Sequence, residues 1–305
     1  MRILITGSSG MLGSAIMRQI KSANHEILAP FSSVLNLENQ IDTTEYIRDS
    51  KPDAIIHCAA LVGGIQANIN NPIDYLAVNI RMDLNLLSAA SNIETKNLIY
   101  IGSSCMYPKG LEVPMPEEFI GTGTLEETNE GYALAKIVGT KTVSLTASTK
   151  KLNWRTLILS NLYGPGDHFE TSRSHLIAAI IEKVITAKSI GSTKIQMWGD
   201  GQARREFTYV DDVAIFIAER IDSLIELPVT MNLGAGYDLS VLDYYKLIMK
   251  VCDYDGSIEH DLSKPSGMQR KLMDISKAKS HGWAPKTNLE DGLRETVNWY
   301  LEKAI

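Results

Sequence analysis

Seven residues running from Gly7 to Gly13, in the order GSSGMLG, constrain this chain more than any others. They follow a β-rich run at 2–6 and open a helical pattern at 11–20, whose Leu12, Ile16 and Ile20 share one face. Glycines spaced by three between a strand and a helix allow a turn too tight for side chains. Gly7 permits the turn, Gly10 lets a diphosphate approach the backbone, and Gly13 allows close packing of the helix on the sheet. Amides at the helix start then face the phosphates. The plain alternative is a flexible strand–helix turn. The position at the end of the first strand favours a dinucleotide site.

The pattern around this loop sets the fold class. Strand-like runs at 26–28, 53–60, 97–102 and 153–160 alternate with helical runs at 43–49, 72–92 and 132–148. The run at 53–60 is continuously apolar, as suits a strand buried on both faces. In the 72–92 helix, Ile73, Leu76, Ala77, Ile80, Leu84 and Leu87 share a face. Such alternation predicts an α/β fold with a Rossmann-like, doubly wound parallel sheet. After Gly164-Pro165 the pattern loosens. Helices fit 174–188, 211–224, 240–251 and 289–301, and short strands fit 195–198 and 230–233. The expected division is a dinucleotide-binding domain over 1–165, to which the chain returns around 205–213, and a smaller α/β substrate lobe over 166–305.

Composition narrows the function classes. The 305 residues carry 30 basic and 36 acidic side chains, a net charge of −6. A nucleic-acid binder needs a basic field over its contact face, so no such partner is expected. No apolar run approaches the ~18 residues of a membrane span. The sequence enters a strand at once, without a signal-peptide pattern, and a cytoplasmic location is expected. The three cysteines, Cys58, Cys105 and Cys252, form neither a disulfide framework nor a CxxC metal pair. No metal is expected, and Cys58 and Cys252 read as packing residues.

Tyr132 and Lys136 form YxxxK on a predicted helix, and spacing four puts them on one face. A lysine ammonium beside a phenol favours phenolate and lowers its pKa. Such a tyrosine exchanges a proton with a carbonyl or alcohol oxygen while hydride moves at the adjacent carbon. A surface Tyr–Lys pair is the alternative. Ser103, at the end of a strand between the glycine loop and YxxxK, is placed to hydrogen-bond the same oxygen; Ser104 reads as structural.

These parts together resemble the extended short-chain dehydrogenase/reductase family. The segments GSSCMYPK (102–109), NEGYALAK (129–136), NLYGPGDHF (161–169) with SHL (174–176), WGDGQARREFTYVDD (198–212) and KPSGMQRKLMDIS (264–276) narrow the resemblance to the GDP-L-fucose synthase family. It spans nearly the whole chain. Its members convert GDP-4-keto-6-deoxy-D-mannose by 3,5-epimerisation and 4-keto reduction with NADPH, as homodimers. The resemblance implies the same GDP-sugar substrate, the cofactor NADP(H) with NAD(H) not excluded, and a homodimer built on the helices near 72–92 and 132–148.

The resemblance also assigns residues. Cys105 and His175 would carry epimerisation: protons beside a ketone are acidified by enolate formation, and inversion needs a base on one face and an acid on the other. Both side chains titrate near enough to neutrality, a free thiol near pKa 8.5. Ser103, Tyr132 and Lys136 would carry reduction. The cofactor would be held by Gly7, Ser9, Gly10, Met11, Leu12, Gly13, Ser32, Ala59, Ala60, Ile101 and Gly102, with Ser103, Tyr132, Lys136 and His175. Leu159, Ser160, Asn161 and Leu162 match the nicotinamide-side segment. Lys183, Trp198, Arg205 and Ser266 occupy substrate positions: a ring to lie against a base or sugar, and a guanidinium fork for diphosphate. Core filling is the alternative for Trp198, and an ion pair with Glu206 or Asp211 for Arg205.

Departures bear on specificity. Ser9 and Ser32 stand where a bacterial member carries arginines for the NADP phosphate. Ser266 replaces an aspartate, and Lys183 an arginine. Two other readings stay open: a reductase or epimerase/reductase of another GDP-sugar, such as a GDP-4-keto-6-deoxy-heptose, and a non-catalytic dinucleotide-sensing protein.

Overall fold

The central strands are apolar on both sides, and the fold covers both. The computed structural model describes residues 1–20, 25–170, 174–263 and 268–303. In chain order the first half runs β1 (Arg2–Thr6), α1 (Met11–Gln19), β2 (Glu26–Leu28), α2 (Gln40–Ser50) and β3 (Ala54–His57). It continues through α3 (Ile65–Asn70), α4 (Pro72–Asn92), β4 (Asn97–Ser103), α5 (Glu130–Lys150) and β5 (Asn153–Leu159). The second half begins β6 (Asn161–Tyr163), α6 (Leu176–Ser189), β7 (Lys194–Trp198), β8 (Arg204–Arg205), β9 (Phe207–Tyr209) and α7 (Val210–Arg220). It ends β10 (Thr230–Leu233), β11 (Leu239–Ser240), α8 (Val241–Val251), β12 (Ser257–Asp261), β13 (Arg270–Lys271), α9 (Ser276–Ser280) and α10 (Leu289–Lys303).

Six strands form one parallel sheet in the order β10-β5-β4-β3-β1-β2. Side chains alternate across it. Ile3 and Ile5 of β1 face a core shared with Val213, Phe216 and Ile217 of α7, while Leu4 faces a core shared with Leu86, Leu87 and Val143 of α4 and α5. From β1 the chain steps to β2 on one side and to β3 on the other. This topological switch point opens a crevice at the carboxyl ends of the strands, where ligands of such sheets bind.

The second half supplies both a lobe and part of the sheet. β7 pairs with β12, and β8 lies between β11 and β13. Tyr244, Tyr245 and Ile248 of α8 pack with Ile177, Ile180 and Ile181 of α6 around a separate core. The 230–233 strand, expected in this lobe, instead pairs with β5 in the main sheet, with Met231, Asn232 and Leu233 fully buried. A four-residue strand carries no mark of its partner, and parallel pairing of Thr230 with Thr156 is set only in three dimensions. The strand expected over 53–60 stops at His57, because the chain then bends over the glycine turn.

α4 departs from its sequence pattern. Of the stripe read as its core face only Leu87 is buried; Leu76, Ala77, Ile80 and Leu84 are half-covered, and Ile73 is 75% exposed. The face turned inward carries Tyr75, Asn79, Asp83, Leu86, Leu87, Ala89 and Ala90. Two polar side chains on that face hid it from periodicity. Among the described residues no helix is long and apolar enough to cross a membrane.

Candidate active site

The glycine turn closes as tightly as its composition allows. Gly7 has φ +67°, a region open to glycine, and a Cβ there would fall 2.7 Å from the Ala59 nitrogen. A Cβ on Gly13 would lie 2.1 Å from the Gly7 carbonyl oxygen, so the third glycine packs the helix start on the turn itself rather than on the sheet. The first bond inside α1 runs from Ser14 N–H to the Gly10 carbonyl at 2.8 Å. The amides of Met11, Leu12 and Gly13 precede it and lack partners within the helix. A backbone cradle that side chains would fill, set at a helix start, fits the diphosphate of a dinucleotide.

The loop after β3 forms the next wall. Ala59 N–H donates to Thr6 Oγ1 at 3.3 Å, and Asn79 clasps both sides of the Leu61 backbone, accepting at 2.8 Å and donating at 3.0 Å. Ala60 lies between them. Ser9 and Ser32 are exposed. Arg18 of α1 and Arg81 of α4 are already paired, with Asp211 at 2.6 Å and Glu38 at 2.7 Å.

β4 leads through Ile101 and Gly102 to Ser103. The Ser103 hydroxyl accepts the Cys105 N–H at 3.3 Å and winds Ser104–Met106 into one 3-10 turn. That turn drives Cys105 inward against Leu125, Ala133 and Tyr132. Lys136, one turn along α5 from Tyr132, is 1% exposed. The surface-pair reading of YxxxK therefore fails. The Lys136 Nζ lies 5.9 Å from the centre of the Tyr132 ring and 4.6 Å from that of Tyr100.

The electrostatics correct two expectations. The Tyr132 phenol is not lowered: burial first, then the neighbouring Cys105 and Asp83, hold it well above its ordinary value. Burial likewise pushes the Cys105 thiol up, against the pull of the Lys271 charge, the Ser103 hydrogen bond and the Lys136 charge. Cys58 and Cys252 are carried by burial to about 12 and about 11.

His175 stands apart from this group, at the N-terminal cap of α6. Among the described residues no hydrogen bond or ion pair joins it to Cys105 or Tyr132. Its Nδ1 lies 3.4 Å from Oδ1 of Asp167, a carboxylate only 2% exposed. Burial opposes the imidazolium, but the hydrogen bond and charge of Asp167 outweigh it and raise the His175 pKa. Asp167 Oδ2 is buried without a hydrogen-bond partner among the described residues. Sequence reasoning passed over Asp167 although it lies within the GPGDHF stretch.

The remaining positions line the step from sheet to lobe. Leu159 ends β5; Ser160 bonds Thr208 at 2.7 Å, Asn161 donates to the Glu206 carbonyl at 3.0 Å, and Leu162 of β6 pairs with Thr208 of β9. Lys183 and Trp198 meet: the ammonium lies 5.5 Å from the ring centre, and Trp198 is 52% exposed, not core filling. Burial lowers the Lys183 pKa. Arg205 makes no ion pair with Glu206 or Asp211; it donates to the carbonyls of Arg204 and Met268 at 2.8 and 2.5 Å. Ser266 lies outside the described residues. Lys271, on β13 beside Arg205, was missed; its charge is the foremost one favouring the Cys105 thiolate, and burial lowers its own pKa.

Comparison with known proteins agrees with this geometry. Residues 3–234 match the model of the NAD dependent epimerase/dehydratase family. The chain is 43% identical to a GDP-L-colitose synthase of Yersinia pseudotuberculosis, over 99% of both chains. It is 44% identical to a GDP-L-fucose synthase of Azorhizobium caulinodans, over 98% of this chain and 96% of that one. Among solved structures it is similar to MlghC, a GDP-mannoheptose C4 reductase from Campylobacter jejuni with NADP bound, at TM-score 0.87 and 28% identity over 98% of each chain. With a glycine cradle at the switch point, a Ser–Cys–Tyr–Lys group gathered between the end of β4 and the start of α5, and these matches along its length, the chain belongs to the NAD dependent epimerase/dehydratase family.

Proposed function

We propose that this protein is an NADPH-dependent epimerase/reductase that converts GDP-4-keto-6-deoxy-D-mannose to GDP-L-fucose. The observation that carries this reading is Cys105, driven by the Ser103 turn against Tyr132. A base for epimerisation and an acid for reduction thus share one wall. The glycine cradle would hold NADPH, which would supply the hydride for the 4-carbon. Tyr132 gives its phenolic proton to the 4-oxygen, and Ser103 hydrogen-bonds the same atom. Cys105 as thiolate takes a proton from the carbon beside the ketone. His175, held as an acid by Asp167, returns one on the opposite face. Lys183, Trp198 and Arg205 bind the GDP moiety.

The intact Ser103–Tyr132–Lys136 set argues against a non-catalytic sensor, which needs no proton donor. A second reading, another GDP-4-keto-6-deoxy sugar, is favoured by the near-equal identity to a colitose synthase and by Lys183 in place of arginine. Turnover of NADPH with a panel of such GDP-sugars, with product stereochemistry read by NMR, tests both. Inverted product from the mannose-derived ketone is expected. Reduction without inversion would leave a simple reductase.

The outward faces of α4 and α5 fit a homodimer. Leu134, Val138 and Leu145 project from one side of α5, with exposures of 39%, 36% and 65%, and Ile73 projects from α4. A net charge of −6 argues against a nucleic-acid partner. The cytoplasm, where nucleotide sugars and NADPH are held, suits this activity.

A further inference from the structure

The inward face of α4 presents a carboxylate that the reading above leaves unused. Asp83 is fully buried. Its Oδ1 lies 3.0 Å from His57 Nε2, and its Oδ2 accepts the Tyr100 hydroxyl. His57 Nδ1 lies 2.7 Å from Thr6 Oγ1, which accepts the Ala59 N–H. A His57 ring that accepts from Thr6 at Nδ1 and donates from Nε2 satisfies every atom of this network: Thr6 donates to His57, and His57 and Tyr100 donate to Asp83. Asp83 only accepts, which is the hydrogen-bonding of an anion.

A buried anion needs a counter-charge. The cation facing Asp83 is Lys136 of α5, whose Nζ sits over the Tyr100 ring that bonds Asp83. Gly139 makes the approach possible. A Cβ there would fall 2.2 Å from the Tyr100 hydroxyl oxygen and 3.0 Å from Asp83 Oδ2, so α5 carries no side chain where it crosses the pair. Titratable groups face this site from every neighbouring element: His57 from β3, Tyr100 from β4, Lys136 and Tyr132 from α5. Cys105 also faces Tyr132, and Cys58 lies in the field of Lys136.

We propose that Asp83 is the built-in counter-ion of Lys136, a positioning residue that cancels the ammonium's field and so keeps Tyr132 a proton-giving phenol. The inference rests on the reading of Tyr132 as the proton donor. An unbalanced Lys136 would favour phenolate, the form suited to oxidising an alcohol. A balanced one leaves the phenol, the form suited to reducing a ketone. The directions at both ends agree. Burial would push the Asp83 carboxyl up, but the Lys136 charge, His57 and Tyr100 together hold it below its ordinary value, while Tyr132 is held high.

Asp83→Asn tests this through the pH profile of ketone reduction. Reduction needs the phenol and is lost as pH rises through the Tyr132 titration. Without the Asp83 charge this alkaline limb moves down by about one pH unit or more, a tenfold change in phenolate fraction at a given pH. Asp83→Glu, which keeps the charge, restores it. The second readout needs no cofactor and no Asp83 variant: NMR of 13C-labelled tyrosine in the parent protein, with the Tyr132 signal assigned by Tyr132→Phe. Tyr132 is expected to titrate well above the ordinary phenol range. A Tyr132 phenolate formed in the parent below the ordinary phenol value of about 10 would overturn the proposal, as would a limb unmoved in a folded Asp83→Asn variant whose kcat has fallen. Full reductase activity in Tyr132→Phe would instead overturn the reading of Tyr132 as donor, whatever Asp83 does.

Discussion

His175 and Asp167 form an imidazole–carboxylate pair 3.4 Å apart, with the carboxylate almost wholly enclosed. The pair gives His175 a raised pKa, and hence an acid that persists closer to neutrality than a free imidazole. Its contribution to stability is complete below the unfolded pKa of about 6.5 and is lost as pH rises through the raised folded value.

Asp167→Asn should therefore lower the pH at which His175 gives up its proton. Inversion of the sugar, followed as product stereochemistry, should fall off about one pH unit earlier than in the parent. Deuterium exchange started by Cys105 should continue. An unmoved profile would separate Asp167 from the acid.

The Cys105 thiolate depends on Lys271. Lys271→Met removes the leading charge that favours it, so the thiol pKa rises further. Deuterium uptake beside the ketone, measured with NADP+ in deuterated water, should slow about tenfold at neutral pH and recover at higher pH. Cys105→Ser should abolish uptake while direct reduction survives in part, because Ser103, Tyr132 and Lys136 are untouched. Normal uptake in Cys105→Ser would leave this residue a packing role only.

Exposed serines at 9 and 32 leave the extra phosphate of NADP without guanidinium groups at those positions. Each absent charge-assisted contact is worth roughly 1.5–3 kcal/mol. NADPH should still be preferred, but by less than several thousandfold in kcat/KM over NADH. A larger ratio would mean that another basic group holds the phosphate.

Leu145→Glu places a charge at the most exposed position of the apolar stripe on α5. Light scattering at micromolar concentration should give a dimer for the parent and a 33.7 kDa monomer for the variant. A monomeric parent would reject the dimer.

Much of this molecule could be read from its residues, and the exceptions share a cause. The glycine turn, the α/β alternation and the full extent of α4 follow from local spacing. The inward face of α4 did not, because Asn79 and Asp83 break the apolar period exactly where the helix serves the loop at Leu61 and the Lys136 charge. β10 could not be assigned because its partner lies far away in the chain. Lys136 was legible as a partner of Tyr132, but its balancing anion is 53 positions upstream on another helix, a distance that no motif spans. Lys271 sat in a recognised segment and still went unseen, since only the fold of β13 beside β8 brings its charge to Cys105.

The return of β10 to the main sheet has a consequence for how the protein is made. A ribosome has finished three quarters of the polypeptide before the strand that covers β5 exists. Until then β5 is a bare edge with Leu157, Ile158 and Leu159 in it, the kind of surface that invites pairing with another chain. α7, which closes the other side over Ile3 and Ile5, arrives hardly earlier. The nucleotide-binding half is therefore no detachable module. A fragment cut at residue 165 would lack both a sheet neighbour and a roof, and its fate would be aggregation rather than a folded dinucleotide-binding domain.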